Sequence, residues 1–192
     1  MLFFSQQQVL KKIDYDIPWI EKYRPKKVSD MIGQDAIISS LKRSLTEGGF
    51  PNLLFYGPSG VGKTSAIISV AKELFGNQYE NRVMELNATK ERGIRIIRNK
   101  IKTFAKFAVN QNHNTDGIPN IKLIILDESD NITNDAQSAL RRSMEMYCSN
   151  TRFCIICNYI SKIIDPITSR CSMYKFSKLK KKEFIYKLET IC

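Results

Sequence analysis

LLFYGPSGVGKTSAII, Leu53 to Ile68, is the stretch on which the fold turns. Four apolar residues of strand type run into GPSGVGKT, Gly57 to Thr64, and the chain then continues with helical period to Phe75. The octapeptide fits the phosphate-binding pattern G-x-x-x-x-G-K-[ST] without a mismatch, between a predicted strand and a predicted helix. Gly57, Gly60 and Gly62 let backbone N–H groups face an anion, with Pro58, Ser59 and Val61 at the variable positions, and the helix N-terminus adds positive potential. Lys63 is expected to reach the β- and γ-phosphates of a nucleotide, the Thr64 hydroxyl to ligate Mg²⁺, and Ser65 to complete the nucleotide-binding run. The alternative is a glycine-rich turn that merely precedes a helix.

Outward from this stretch, apolar runs of strand length recur at Val83 to Leu86, Ile121 to Leu126, Phe153 to Cys157 and Met173 to Phe176. Between them lie segments with helical period: Ile37, Ile38, Leu41 and Leu45; Lys63 to Phe75; Ile94, Ile97, Ile101, Phe104 and Ala108; and Ala136, Leu140, Met144 and Tyr147. Strands alternating with helices predict an α/β fold, a parallel sheet covered on both faces. After Phe176, KLKKKEFIYKLETIC has the look of the first helix of a further unit.

IKLIILDE is a hydrophobic strand that ends in two acids, as a metal-binding strand does at the carboxyl edge of such a sheet. Asp127 is expected to hold Mg²⁺, and Glu128 to orient or deprotonate the water that attacks the γ-phosphate. RFCIIC then delivers Asn158, an amide able to touch the γ-phosphate or the water, although a lone Asn after a strand is more often a turn residue. Arg170 follows in ITSRC, either as a surface cation or as the arginine that stabilises transition-state charge. No arginine is obvious near the phosphate loop, so that charge is expected from another subunit.

The chain has 192 residues, enough for one domain and the start of a second, and its 30 Lys plus Arg exceed its 19 Asp plus Glu to give a net charge of +11. That balance favours polyanionic partners. No apolar run is long enough for a signal-peptide core or a membrane span, which predicts a soluble, intracellular protein with no membrane partner. Its 5 cysteines are odd in number and argue against a disulfide framework, and Cys154 and Cys157, although a CxxC pair, sit in a predicted buried strand with no second pair at metal-site spacing.

The segment ERGIRIIRNKIKTFAKFA gathers charge on one side. At about 100° per residue, Arg95, Arg98, Asn99, Lys102 and Lys106 fall opposite Ile94, Ile97, Ile101, Phe104 and Ala108. A solvated face is one reading. No acid interrupts the helix after Glu91, and lysines and arginines that contact phosphates position nucleic acid without reading its sequence, so DNA contact is the favoured one.

In this order and spacing, WIEKYRP, GPSGVGKT, ELNATKERGI, LDESD, AQSALRRSMEMY and ICNYISKIIDPITSRC resemble the small subunits of replication factor C, the AAA+ clamp loader. The similarity covers nearly everything from Trp19 to Phe176, the triplet Ser169, Arg170, Cys171 being its most specific element. TRFCIICNYISKIIDPITSRC is most similar to the small subunit numbered four in animals. The resemblance implies an AAA+ P-loop core with a five-stranded parallel sheet over 19–177, after an N-terminal extension at 1–18 and before the first helix of a truncated lid at 178–192. It implies ATP and Mg²⁺ as ligands. A hetero-pentamer of replication factor C subunits, a sliding clamp and primer-template DNA are the implied partners, in the nucleus. Under it, Arg170 is an arginine finger offered to a neighbour's ATP, Asn158 is sensor 1, and Tyr23, Arg24 and Pro25 lie against the nucleotide. Asn87 is a polar switch that restrains Glu128 until DNA binds. Ser59, Lys90 and Ser129 depart from the family pattern, and the sensor 2 arginine and collar would lie beyond Cys192.

Three rivals stay open on the residues alone. A small-molecule kinase would need acceptor-binding and lid arginines and gains nothing from an Arg170 acting in trans. A non-catalytic ATP-binding scaffold has no need of the intact set Lys63, Thr64, Asp127 and Glu128. Another AAA+ DNA-processing machine, such as a branch-migration helicase, would share the core without the Ser-Arg-Cys triplet.

Overall fold

In the computed structural model, residues 18, 22–46, 49–90, 94–106 and 120–191 are described. Five strands, β1 (Leu53–Tyr56), β2 (Val83–Asn87), β3 (Lys122–Asp127), β4 (Thr151–Cys157) and β5 (Ser172–Lys175), form one sheet in the order β2-β3-β4-β1-β5 with every pairing parallel. Helices α1 (Asp35–Thr46), α2 (Lys63–Phe75), α3 (Tyr79–Arg82), α4 (Ile94–Lys106), α5 (Asn134–Met146), α6 (Asp165–Thr168) and α7 (Lys181–Ile191) connect or follow the strands.

Alternation along each strand divides the core between the two faces of the sheet. Leu53, Phe55, Leu123, Ile125, Cys154 and Ile156 pack on one side with Leu41 of α1 and Ile67 and Val70 of α2. Leu54, Ile124, Leu126, Phe153, Ile155 and Cys157 pack on the other with Ile101 of α4, Leu140 and Met144 of α5 and Ile167 of α6. The three central strands, β1, β3 and β4, therefore read as continuous apolar runs, because both of their faces are covered, whereas β5 at the edge is largely exposed.

Each strand lies within two residues, at either end, of the apolar run that predicts it. β3 begins at Lys122 rather than Ile121, because Lys122 N–H bonds Asn150 O at 2.8 Å and its ammonium donates to Phe104 O at 2.7 Å, closing the last turn of α4. β5 runs Ser172–Lys175, with Phe176 buried beyond it. The helix read from KLKKKEFIYKLETIC begins only at Lys181. Helices α3 and α6, each 4 residues long, had no apolar period to announce them. Trp19 to Glu21, Glu91 to Gly93, Ala108 and the extension before Pro18 lie outside the described residues, as do the side chains of Leu45 and Ile94.

Candidate nucleotide site

β3, β4 and β1 lie side by side in the sheet, and their carboxyl ends bring Asp127 and Glu128, Asn158, and the Gly57–Thr64 loop together. Position within the parallel sheet, rather than proximity in sequence, assembles the site. A cavity of about 500 Å³ is bounded by Ser59, Gly60, Gly62, Lys63, Thr64, Ser65, Asp127, Glu128 and Asn158.

The loop has its shape because Gly57, Gly60 and Gly62 take φ of 143°, 75° and 92°, where residues with a Cβ are strained. At Gly57 the constraint is also steric: a Cβ would lie 2.2 Å from Phe176 O. No side chain caps α2 at Gly62, and its first turn holds no acid, so its leading N–H groups remain directed at the cavity.

Lys63 is only 7% exposed, and its Nζ donates to Gly57 O at 2.7 Å, Pro58 O at 2.7 Å and Asn158 Oδ1 at 3.0 Å. Burial lowers the ammonium pKa, and the nearby Asp127 opposes that shift. Thr64 Oγ1 donates to Asp127 Oδ2 at 2.7 Å, while Asp127 Oδ1 accepts Glu128 N–H at 2.8 Å. A hydroxyl and a carboxylate that meet on one spot are the hard oxygen donors that suit Mg²⁺.

Glu128 leaves β3 in the left-handed region, φ 54° and ψ 37°, which turns it away from Asp127. Its carboxylate accepts a hydrogen bond from Thr89, and Asn131 Nδ2 donates to Thr89 Oγ1 at 3.1 Å. Asn87 holds the turn that carries Thr89, accepting Thr89 N–H at 2.9 Å and Lys90 N–H at 3.3 Å on Oδ1. The Thr89 hydroxyl, then Asn87 and the charge of Lys90, keep the Glu128 pKa below the ordinary carboxylate value against a small opposing effect of burial. Thr89 is a contact that the sequence does not announce, since a Thr within a loop carries no signal of its own. Ser129, a departure from the family pattern, is buried and donates to Leu126 O at 2.9 Å.

A second cavity, about 180 Å³, adjoins the first through Gly60, Gly62 and Ser65. Tyr23, Pro25, Met31, Val61 and Leu179 are among its walls. Arg24, which the resemblance sets against the nucleotide, lines the larger cavity, so an arginine does stand near the phosphate loop although none is near it in sequence. Adjacency to the loop in space, not in sequence, puts it there.

Arg170 is not at this site. β5 begins at Ser172, in register with Leu53 at the start of β1, so Arg170 stands at the amino edge of the sheet, opposite the phosphate loop. Its guanidinium bonds Pro166 O at 2.6 Å and Glu145 of α5 at 2.8 Å, and Glu145 also receives Arg141 Nε at 3.0 Å. Arg95, Arg98, Asn99, Lys102 and Lys106 are all exposed along α4, whose Ile101 and Ala105 are buried. Cys154 and Cys157 lie buried within β4, and burial raises both thiols, Cys157 to about 11. Among the described residues no helix is long and apolar enough to cross a membrane.

The family model "ATPase family associated with various cellular activities (AAA)" matches residues 53–179. Replication factor C subunit 2 of Schizosaccharomyces pombe is 50% identical over 100% of this chain and 57% of its own length. Human replication factor C subunit 4 is 52% identical over 86% of this chain and 46% of its own, and the small subunit of Sulfolobus acidocaldarius is 47% identical over 92% and 52%. The chain thus spans about half the length of these relatives. Among solved structures, the Thermotoga maritima RuvB Holliday junction branch migration motor superposes with a TM-score of 0.63 at 14% identity, over 87% of this chain and 53% of that one, a likeness of fold. The chain belongs to the AAA family of ATPases, and the curated relatives named here are replication factor C small subunits.

Proposed function

We propose that this chain is the ATP-binding and ATP-hydrolysing core of a small clamp-loader subunit, acting with other replication factor C subunits to open a sliding clamp and load it onto primer-template DNA in the nucleus. The observation that carries this reading is the convergence of Lys63, Asn158, the Thr64–Asp127 pair and Glu128 on one cavity. The similarity to replication factor C subunits supports the machine in which that chemistry is used. Residues 19–177 form the ATPase domain in this reading, and α7 is the first helix of a lid.

Each residue has a separable task. Gly57, Pro58, Ser59, Gly60, Val61, Gly62 and Ser65 shape the cradle, and Lys63 neutralises the β- and γ-phosphates. Thr64 and Asp127 would hold Mg²⁺, which when bound draws charge off the phosphate oxygens. Asn158 contacts the γ-phosphate or the attacking water while also orienting Lys63. Glu128 takes a proton from that water, and its depressed pKa keeps it ionised for the purpose. Tyr23 and Pro25 face the base, and Arg24 faces the phosphates.

Two tasks reach beyond the cavity. Arg170, at the far edge of the sheet, is suited to a neighbour's ATP, since a residue at the amino edge is poorly placed for its own chain's phosphates. The exposed cations of α4 contact DNA phosphates.

The test is reconstitution with the remaining subunits, followed by ATP hydrolysis with and without clamp and primed DNA. Stimulation by both together is expected. Absence of stimulation, with ATP still bound, would leave an AAA ATPase of another kind.

A further inference from the structure

The second cavity owes its outer wall to a strap of chain, Tyr23 to Lys27, that lies outside every helix and strand and runs into a short 3-10 helix, Val28–Asp30. Tyr23 and Pro25 face the cavity from it. Two polar side chains of α2, unused by the phosphate chemistry, hold this strap. Ser69 is fully buried and its Oγ donates to Pro25 O at 2.8 Å. One turn further on, Glu73 Oε2 accepts Val28 N–H at 3.1 Å.

The spacing has a geometric basis. Residues four apart on a helix stand about 6 Å from one another on the same face, so Ser69 and Glu73 can both reach the strap, one at Pro25 and the other at its end at Val28. Ser69 Oγ also lies 2.9 Å from Ser65 O, but that carbonyl already takes part in the helix ladder, and a hydroxyl has one proton to give. Directed at Pro25 O, the proton fastens the strap. The fixed φ of Pro25 then limits how the neighbouring Tyr23 and Arg24 can move.

We propose that Ser69 and Glu73 are positioning residues for the nucleotide base: they bolt the strap to the same helix whose first turn carries Lys63 and Thr64. Base wall and phosphate cradle are thereby built on one rigid element, so that a nucleotide is measured from base to phosphate against a fixed distance. This deepens the proposed function and rests on its reading of the second cavity as the base pocket.

Binding of ADP and of inorganic tripolyphosphate to the full chain, measured by calorimetry, tests it. Ser69→Ala with Glu73→Leu removes both fastenings and should weaken ADP by roughly tenfold or more, at about three- to tenfold per hydrogen bond, while tripolyphosphate binds as before. Michaelis constants for ATP should rise with turnover number little changed. Glu73→Gln, which keeps a carbonyl oxygen for Val28 N–H, should restore the half of the effect due to Glu73. Unchanged ADP affinity in the double variant, or an equal loss for ADP and tripolyphosphate, would overturn the proposal. Failure of the unaltered chain to bind ADP at all would instead sink the nucleotide-site reading, and the inference with it.

Discussion

Lys63 Nζ and Asn158 Oδ1 lie 3.0 Å apart, which ties the phosphate loop after β1 to the end of β4. Burying the ammonium is costly for the fold, since a lysine 7% exposed has given up most of its hydration, and this bond with those to Gly57 O and Pro58 O offsets only part of that cost.

Stability and binding should therefore part company when Lys63 is replaced. Lys63→Ala is expected to weaken ATP by roughly a hundredfold or more, as the loss of charge-assisted hydrogen bonds requires, without lowering the melting temperature. Calorimetry and thermal denaturation on one sample decide it. A parallel loss of stability and affinity would make Lys63 a structural residue.

Glu128→Gln keeps the size of the side chain and leaves Thr64 and Asp127 intact. ATP should stay bound while hydrolysis slows by roughly 10²- to 10⁴-fold, the usual worth of a general base. Equal loss of binding and turnover would defeat the division of roles between Asp127 and Glu128.

Because the Thr89 hydroxyl is the main cause of the low Glu128 pKa, its removal has a signed effect on pH dependence. A base must be ionised to act, so activity falls as pH drops through its pKa. Thr89→Val should raise that pKa toward the ordinary value and shift the acid limb of the pH–rate profile to higher pH, with Thr89→Ser leaving it in place. A limb that stays put in Thr89→Val would show that another group titrates there.

On α4, Arg98→Glu with Lys102→Glu should weaken binding of the assembled complex to primed DNA and flatten the dependence of log affinity on log salt. Every phosphate that is no longer neutralised by a side chain takes a little under one unit from that slope. Identical slopes for variant and parent would return this face to solvent.

Arg170→Ala should leave ATP binding by the isolated chain unchanged, since the residue stands at the opposite edge of the sheet from the loop. In the complex it should depress hydrolysis at the one adjacent site, by up to roughly 10³-fold at that site for an arginine finger. Pairing it with an alanine at the phosphate-loop lysine of the neighbouring subunit that holds that ATP should add no further defect. A variant unable to bind ATP on its own would mean that Arg170 acts within its own chain.

The centre of the sheet was legible because β1, β3 and β4 are buried on both faces and so show as apolar runs, and the glycine pattern of the loop has few other uses. That Asp127 reaches the loop, where it meets Thr64, was legible from an acid at the end of such a run. Thr89 and Glu145 were not, because each works through a neighbour distant in sequence. Nothing in the sequence marks how Lys122 is accommodated inside the run of β3: it is 3% exposed, its ammonium 4.8 Å from the Phe104 ring centre and bonded to a helix-end carbonyl. Ser69 and Glu73 read as ordinary helix residues, and only the position of the strap gives them a task.

The grip of Glu145 and Pro166 on Arg170 also bears on how fast and how firmly two subunits could engage. A free arginine side chain samples many rotamers, worth about 2 kcal/mol of entropy that is lost when it docks. Held at two points on its own surface, Arg170 has surrendered much of that freedom beforehand, and a planar fork of fixed direction meets whatever anion approaches. Glu145→Ala would leave the charge of Arg170 in place and blur its aim.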